Sequence, residues 1–223
     1  MTIRSTPVGV PAYNTRLLGN LSVPDHPAAL AVIAYTSTSA RGTPPEHLLV
    51  AALREQRLAI LRLDLLTSDE VTLHSIARRS RHDVGVLGKR LVAAMDWVSA
   101  QAQFDGLPRA FIGTGMGAAA TLVAAADQPE MTQAIVSIDG WTDHALGSLE
   151  SVQVPTLLIA GQKNTDIVMM NESAFQRLRS LKRLELVGGV ADVLTDHDAL
   201  DKAARLTADW FQRFLRLDAH EPE

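Results

Sequence analysis

Residues 113–117 read Gly-Thr-Gly-Met-Gly and combine the features of a sharp turn with those of a helix start. They follow the apolar run RAFIG at 109–113 and precede the small-residue stretch AAATLVAAA at 118–126. A strand, a turn and a helix of this kind form a nucleophile elbow when the pattern is Gly-x-Ser-x-Gly, because small neighbours let strand and helix approach closely. Here the central position is Gly115. The loop therefore predicts the geometry of covalent catalysis without a side chain that could attack a carbonyl carbon.

Other side chains with acid, base or nucleophile chemistry lie in or near the loops that follow apolar runs. They are Ser37, Ser39, Thr114, Asp139, Asp143, His144, Asp166, Asp192, Asp196 and His197. A serine paired with a histidine base can hydrolyse an ester or lactone, so Ser37 or Ser39 with His197 would form a relocated hydrolytic site. The simpler interpretation of His197 is a helix-start residue beside Asp196 and Asp198. Both interpretations stay open from the sequence alone.

The glycine-rich loop also fits part of a nucleotide-binding fingerprint. Gly113, Gly115 and Ala118 reproduce Gly-x-Gly-x-x-Ala after a predicted strand, and Asp139 ends the next strand along the chain. The fingerprint normally belongs to the first strand-helix unit of a sheet, whereas this loop follows two earlier central strands. A nucleotide-binding domain is therefore a second alternative function.

The sequence indicates no metal centre and no cofactor. The acidic stretch with Asp192, Asp196, His197 and Asp198 offers oxygen and nitrogen ligands, but its spacing matches no structural or catalytic metal signature. The chain contains 0 cysteines, so thiolate ligands and disulfides are excluded. Solvated acids that open a helix explain the stretch more simply.

The predicted elements place these loops at one end of a sheet. Short apolar runs alternate with segments of helical periodicity, which is typical of an α/β fold with a mostly parallel sheet and helices on both faces. The predicted strands are 29–36, 58–65, 109–113, 133–139, 156–161 and 183–187, with 15–23 as an edge or antiparallel strand. The predicted helices are 45–56, 83–103, 117–126, 170–180 and 198–215. Ligands of such sheets bind at the carboxyl ends of the strands.

Composition and charge narrow the class of protein. Of 223 residues, 47% are hydrophobic and 21% are charged, the formal net charge is -4, and no run of like charges occurs. We therefore expect neither a nucleic-acid partner nor an anionic membrane surface. The N-terminus has no signal-peptide core, and no apolar run approaches the roughly 20 residues that span a bilayer. We expect a single domain over 1–223, flexible at 1–14 and 218–223, in the cytoplasm.

Four stretches carry a resemblance to a known family. They are LDLLT at 63–67, DVGVLGKRLVAAMDW at 83–97, GTGMGAAATLVAAA at 113–126, and VPTLLIAG at 154–161 with its tail ARLTADWFQRFL at 204–215. Over residues 28–215 the chain resembles the dienelactone hydrolase-like branch of the α/β-hydrolase superfamily, especially domains that some relatives fuse to a phosphoribosyltransferase. The resemblance implies the α/β-hydrolase fold.

The triad positions implied by this resemblance hold other residues. The nucleophile position is Gly115, the acid position after TLLIAG is Asn164, and the histidine position after RLELV is Asp192. The His-Gly pair of the oxyanion loop is replaced by Tyr35-Thr36. An asparagine cannot supply the charge that stabilises an imidazolium, so we expect no Ser-His-Asp turnover.

The leading hypothesis is a non-catalytic relative that keeps the fold and its strand-end cleft. It predicts a small-molecule ligand or a protein partner, including a second copy of the chain. The residues expected to contact a ligand combine apolar walls with hydrogen-bonding groups: Tyr35, Thr36, Ser37, Ser39, Thr114, Met116, Trp141, Asn164 and Asp192.

Overall fold

The computed structural model describes residues 3–13, 15–36, 44–77 and 83–217. Its strands are β1 (Ile3–Ala12), β2 (Thr15–Pro24), β3 (Ala29–Tyr35), β4 (Leu58–Asp64), β5 (Arg109–Thr114), β6 (Ala134–Ile138), β7 (Thr156–Gly161) and β8 (Lys182–Val187). Its α-helices are α1 (Pro44–Glu55), α2 (Ser68–Ala77), α3 (Val84–Ser99), α4 (Met116–Asp127), α5 (Thr165–Arg177) and α6 (His197–Leu215). Short 3₁₀ turns lie at Ala102–Phe104, Pro129–Met131, Thr142–Ala145 and Leu149–Ser151.

All eight strands belong to one sheet in the order β1-β2-β4-β3-β5-β6-β7-β8. The pairs β1–β2 and β2–β4 are antiparallel, and every pair from β4 to β8 is parallel. The predicted α/β-hydrolase architecture is confirmed. Each predicted strand is present, and each of its ends agrees with the prediction to within one residue.

The sheet is sandwiched between helices, and the pleat of each strand divides its side chains between two cores. In β3, Leu30 and Val32 pack into the core that includes side chains of α3, α4 and α5, whereas Ile33 and Tyr35 pack into the core that includes side chains of α1 and α6. Because both faces are covered, β3 is buried along its whole length. This burial explains why the parallel strands read as continuous apolar runs.

The expectation that residues 1–14 are flexible is wrong for the part that the structure describes. Ile3–Ala12 form the edge strand β1, which pairs with β2 over ten positions from Ile3↔Pro24 to Ala12↔Thr15. Pro7 and Pro11 hid this strand in the sequence, yet prolines are tolerated at a sheet edge, where one row of backbone groups has no partner strand. Residues 218–223 lie outside the described part of the chain.

Three helices differ from the predictions, and the first is α3, which ends at Ser99 rather than at 103. Helix α2 was not predicted, although Thr67-x-x-Glu70 forms a capping box at its start: the Thr67 N–H donates to Glu70 Oε2 at 2.9 Å and the Glu70 N–H donates to Thr67 Oγ1 at 3.3 Å. Helix α5 begins at Thr165 rather than at 170, because Asn164 acts as its N-cap. Within the described residues, no helix combines the length and apolarity needed to span a membrane.

Strand β5, helix α4 and strand β3 approach one another closely enough to require glycine. A Cβ on Gly117 would lie 2.3 Å from the backbone oxygen of Ala34 and 3.0 Å from its carbonyl carbon. Backbone atoms of a buried strand cannot move aside without breaking their ladder. The glycine after the elbow is therefore a packing requirement that fixes helix α4 against the sheet.

We predict that Gly117→Ala lowers the free energy of unfolding by roughly 2 to 3 kcal/mol or more, since the added methyl overpacks a backbone contact. Urea denaturation measures this loss. Gly147→Ala is the matched control, because a Cβ there meets no atom of the described residues within 4 Å. Equal stability of the two variants would contradict the packing argument.

Candidate functional site

The elbow predicted at residues 113–117 is present. Strand β5 ends at Thr114, helix α4 begins at Met116, and Gly115 between them adopts φ 52° and ψ -125°. This positive φ is unfavourable for residues with a side chain and favours glycine. The Gly115 carbonyl accepts hydrogen bonds from the N–H groups of Ala118 at 3.2 Å and Trp141 at 3.0 Å. One donor to the turn therefore belongs to α4, and the other belongs to the loop after β6.

The elbow lies at the point where the order in which strands are added to the sheet reverses. Strand β3 is flanked by β4 on one side and β5 on the other, so the chain leaves β3 first toward one edge and later continues toward the other. Ligands of open parallel sheets bind in the crevice outside such a switch point. The loop after β3, residues 37–43, lies outside the described residues.

Trp141 forms one wall above the elbow. Among the described residues other than its chain neighbours, the nearest atom to an ideal Cβ on Gly115 is Trp141 Cε2 at 3.9 Å. The Trp141 side chain is 47% exposed. Within the described part of the chain, an indole therefore borders the volume that a nucleophile would occupy.

The backbone that carries Trp141 is anchored on both sides. Asn171 of α5 donates from Nδ2 to the Gly140 carbonyl at 2.9 Å, and Thr142 donates from Oγ1 to the Met170 carbonyl at 2.9 Å. Asn171 is fully buried. The indole is exposed, but its attachment to the fold is rigid.

Asp139 connects three of the strand-end loops. It directly follows β6 and adopts a positive φ of 47°. Its Oδ1 accepts from the Gly161 N–H at 2.8 Å, and its Oδ2 accepts from the Val193 N–H at 2.7 Å. Burial raises the pKa of Asp139 to about 6, against the lowering effect of these two amides, and Asp192 adds to the rise through its charge and a side-chain hydrogen bond.

Asn164 and Asp192, which the sequence resemblance places at the acid and histidine positions of a triad, have local structural roles. Asn164 Oδ1 accepts from the Ile167 N–H at 3.2 Å and so caps α5. Asp192 Oδ1 accepts from the Leu194 N–H at 2.8 Å, which closes a turn. Their two loops are joined by a hydrogen bond from the Lys163 N–H to the Val190 carbonyl at 2.8 Å.

The three residues that the sequence resemblance assigns to a triad lie at one end of the sheet. Gly115, Asn164 and Asp192 follow the carboxyl ends of β5, β7 and β8. Hydrogen bonds of the segment 139–141 reach the elbow, the end of β7 and the loop after β8. From the sequence, Asp139 was expected among the strand-end polar residues but had no part in a triad. The signal was an acid followed by glycine immediately after a buried strand.

A buried ion pair fixes the loop after β4. Arg90 of α3 is 3% exposed; it donates to the Leu65 carbonyl at 2.8 Å and to both carboxylate oxygens of Glu70 at 2.7 Å. The hydrogen bond from Arg90 is the main cause that lowers the pKa of Glu70 to about 2. The Leu65 N–H in turn donates to the Tyr35 carbonyl at 2.7 Å. The ends of β3 and β4 are thereby held together.

The predicted ligand contacts differ in how far they reach the surface. Tyr35, Thr114 and Met116 are 3%, 8% and 6% exposed, so they belong mainly to the core. Trp141 and Asp192 are exposed, and Thr36 and Asn164 are half-buried. Ser37 and Ser39 lie outside the described residues.

His197 is the first residue of α6, and its side chain is 76% exposed. Its Nδ1 lies 3.4 Å from Asp198 Oδ1, while Asp196 Oδ1 accepts from the Ala199 N–H at 2.9 Å and caps the helix. These contacts favour the helix-start interpretation. In the described part of the chain, no group of three or more His, Cys, Asp and Glu residues is placed to hold a metal ion.

A cavity of about 740 Å³ lies at the opposite end of the sheet, against Leu107, Pro108, Gln133, Pro155 and Phe214. These residues precede β5, β6 and β7 or end α6. Since ligands of parallel sheets bind at the carboxyl ends of the strands, the candidate site remains the cleft at Gly115.

Comparisons with known proteins agree with this geometry. The sequence matches the PET hydrolase-like family over residues 64–221. The crystal structure of dienelactone hydrolase from Anabaena variabilis is similar with a TM-score of 0.88 and 34% identity, covering 96% of this chain and 99% of that one. An esterase domain from Rhodothermus marinus shares the fold with a TM-score of 0.75 and 18% identity, covering 96% of this chain and 100% of that one.

A longer relative is also similar. A proposed phosphoribosyl transferase of Mycobacterium tuberculosis H37Rv is 32% identical over 209 residues, which cover 94% of this chain and 46% of that protein. The chain thus spans about half the length of the curated relatives that it matches.

The elbow generates a prediction about strain. Gly115→Ser should lower the free energy of unfolding by about 1 to 3 kcal/mol, because φ 52° is unfavourable for serine although the side chain has open space. Gly147→Ser is the matched control, since its Cβ also meets no atom of the described residues within 4 Å. Thermal or urea denaturation compares the two. A loss no larger than that of Gly147→Ser would show that the turn is not strained.

Proposed function

The chain belongs to the PET hydrolase-like family and has the α/β-hydrolase fold of dienelactone hydrolases, and from that premise we propose that its strand-end cleft binds a small molecule without Ser-His-Asp chemistry. The observation that carries the proposal is Gly115, which keeps the elbow conformation at φ 52° and ψ -125° but offers no nucleophile. In this proposal the protein retains the fold of the family but not its Ser-His-Asp reaction.

The chemical argument concerns all three positions. Gly115 has no hydroxyl, Asn164 has no charge, and its amide is engaged in capping α5. A carboxylate such as Asp192 at the base position accepts a proton much less readily than an imidazole does. Loss of triad members leaves only the acceleration that binding and backbone amides supply, about 10³- to 10⁴-fold over water.

The cleft has the groups to hold a small planar ligand. The exposed indole of Trp141 offers an apolar face beside the open volume over Gly115. Met116 and Gly117 belong to the first turn of α4, whose N–H groups have no acceptor within a helix. Asp192 adds an exposed acceptor. An aromatic group with a carbonyl substituent, which would accept from the N–H groups of α4 rather than contact Asp192, suits this combination.

Hydrolysis by a relocated site is the second candidate, and it is favoured by the hydrolase and esterase names of the similar structures. It would use Ser37 or Ser39 with His197. The outward position of His197, 76% exposed and beside Asp198, counts against it. The nucleotide-binding alternative has less support: a Cβ on Gly113 would lie 2.4 Å from the Ala118 Cα, so that glycine serves strand-helix packing.

We further propose a homodimer or a partner protein, and a cytoplasmic location. A domain that has lost its reaction can still bind another protein. A related domain also forms part of a longer protein. Sedimentation that shows only monomers at micromolar concentration, with and without lysate proteins, would contradict the assembly.

We predict no esterase or lactonase turnover above background toward activated esters or dienelactone, and no labelling by serine-directed phosphonates. Hydrolysis and labelling assays with the unmodified protein, His197→Ala and Ser37→Ala measure both activities. A kcat near ~10 s⁻¹ that either substitution abolishes would replace the proposal by the relocated hydrolase.

We predict that benzoate or methyl benzoate, as probes of the cleft, quench tryptophan fluorescence through Trp141. Trp141→Leu should weaken binding about three- to tenfold, the range expected for loss of an aromatic contact, and should remove most of the quenching. Trp97→Leu is the control because Trp97 lies on α3. Equal quenching in both variants would place the ligand elsewhere, and native mass spectrometry of the purified protein would show any ligand that it retains.

A further inference from the structure

Strand β8 forms one edge of the sheet. It is the last strand in the sheet order, and among the described residues β7 is its only neighbouring strand. The carbonyls of Leu181 and Val187 accept N–H groups of β7 and of the residue that follows β7, each at 2.9 Å. Because the backbone groups of successive residues in a strand point to opposite sides, three residues between these carbonyls point their N–H and C=O groups away from β7. They are Lys182, Leu184 and Leu186.

We propose that β8 is the surface through which two copies of the chain associate, with their β8 strands paired antiparallel about a twofold axis at Leu184. This pairing joins two eight-stranded sheets into one continuous sheet. Because both copies use the same strand, the assembly closes as a dimer. In naming this surface we rely on the homodimer proposed above.

The register centred on Leu184 suits both the backbone and the charges of β8. With Leu184 opposite Leu184 of the second copy, Lys182 lies opposite Leu186, so the outward backbone groups of both strands meet. The same register places Arg183 opposite Glu185. The next compatible register on either side would set Arg183 against Arg183 or Glu185 against Glu185, and like charges directly opposite are destabilising. The charge pattern of β8 is therefore complementary to itself in this one register.

The two charged side chains are accessible and already adjacent. Arg183 and Glu185 are 54% and 22% exposed, and Arg183 Nε donates to Glu185 Oε1 at 2.5 Å within one copy. In the paired strands they occupy non-hydrogen-bonded positions, where side chains of opposite residues approach most closely. Each charge then faces its opposite in the second copy as well, so charges of alternating sign surround the twofold axis.

The features that usually prevent edge pairing are weaker at β8 than at the other edge. Prolines and free lysines commonly protect sheet edges. Strand β1 contains Pro7 and Pro11, which have no N–H to donate, whereas β8 contains no proline. The lysine of β8, Lys182, donates from Nζ to the Leu178 carbonyl at 2.5 Å and lies 4.9 Å from the centroid of the Phe175 ring. Its ammonium group is therefore held by its own chain at the end of α5.

The test compares dissociation constants from sedimentation equilibrium for the unmodified protein, Arg183→Glu and Glu185→Arg. Each variant alone should dimerise about tenfold or more weakly, because the twofold axis turns both cross-strand charge pairs into repulsions. An equimolar mixture of the two variants should dimerise about as well as the unmodified protein, since the acidic strand of one copy then faces the basic strand of the other. A variant that failed to fold could not show this recovery.

Arg205→Glu and Asp201→Arg are the matched controls, because they reverse the two charges of an exposed ion pair on α6 rather than on the sheet edge. Both should leave the dissociation constant unchanged, alone and mixed. Hydrogen exchange gives a second measurement that depends on the register. The outward N–H groups of β8 should exchange more slowly at concentrations where the protein is dimeric than after dilution to monomers.

A dimer that both β8 charge reversals leave intact would overturn this surface and keep the proposed homodimer. A chain that remains monomeric at high micromolar concentration would overturn both, and so would a monomer whose β8 edge binds a strand of a different protein. Ligand binding in the cleft is measured separately through Trp141 fluorescence, so its outcome is distinguishable from each of these.

Discussion

The carboxyl group of Asp139 lies between the last backbone amide of β7 and an amide of the loop after β8, and the strand-end cleft is arranged around it. Its oxygens accept from the N–H groups of Gly161 and Val193. The next two residues in the chain are Gly140 and Trp141, and the Trp141 N–H donates to the carbonyl of Gly115. A buried charge is unfavourable unless several donors compensate it, which explains why the loops must come to this side chain. The segment 139–141 therefore joins the elbow, the end of β7 and the loop after β8 by hydrogen bonds.

The residues at the three positions that we assign to a triad suit the local structure of the fold. Glycine suits the φ of 52° at the elbow better than serine would, asparagine is among the preferred N-cap residues, and Asp192 closes a turn through the Leu194 N–H. Each replacement contributes to local structure. Selection for stability and selection for catalysis pull in different directions at such sites, and here the residues present fit the structural demand.

Much of this arrangement could be predicted from the sequence, because the signals are local. The parallel strands appear as apolar runs, and Gly113, Gly115 and Gly117 mark the elbow by spacing alone. Strand β1 was missed because its prolines obscure a pairing that only the neighbouring strand reveals. Asp139 could not be assigned from the sequence, since its role depends on a positive φ and on a partner 54 positions away. The exposure of the His197 side chain likewise depends on tertiary structure, because it follows from where α6 begins.

We propose that the geometry of a hydrolase remains while its reactive groups are gone. The most direct measurement is the rate at which a fluorophosphonate labels the double variant Gly115→Ser with Asp192→His, in which Asp139 accepts the N–H of the adjacent Val193 and offers a carboxyl group beside the new imidazole. The account predicts labelling of the serine at position 115 much faster than in Gly115→Ser alone, and a return to the slow rate when Asp139→Asn is added. A folded double variant that is labelled no faster than Gly115→Ser alone would contradict the account.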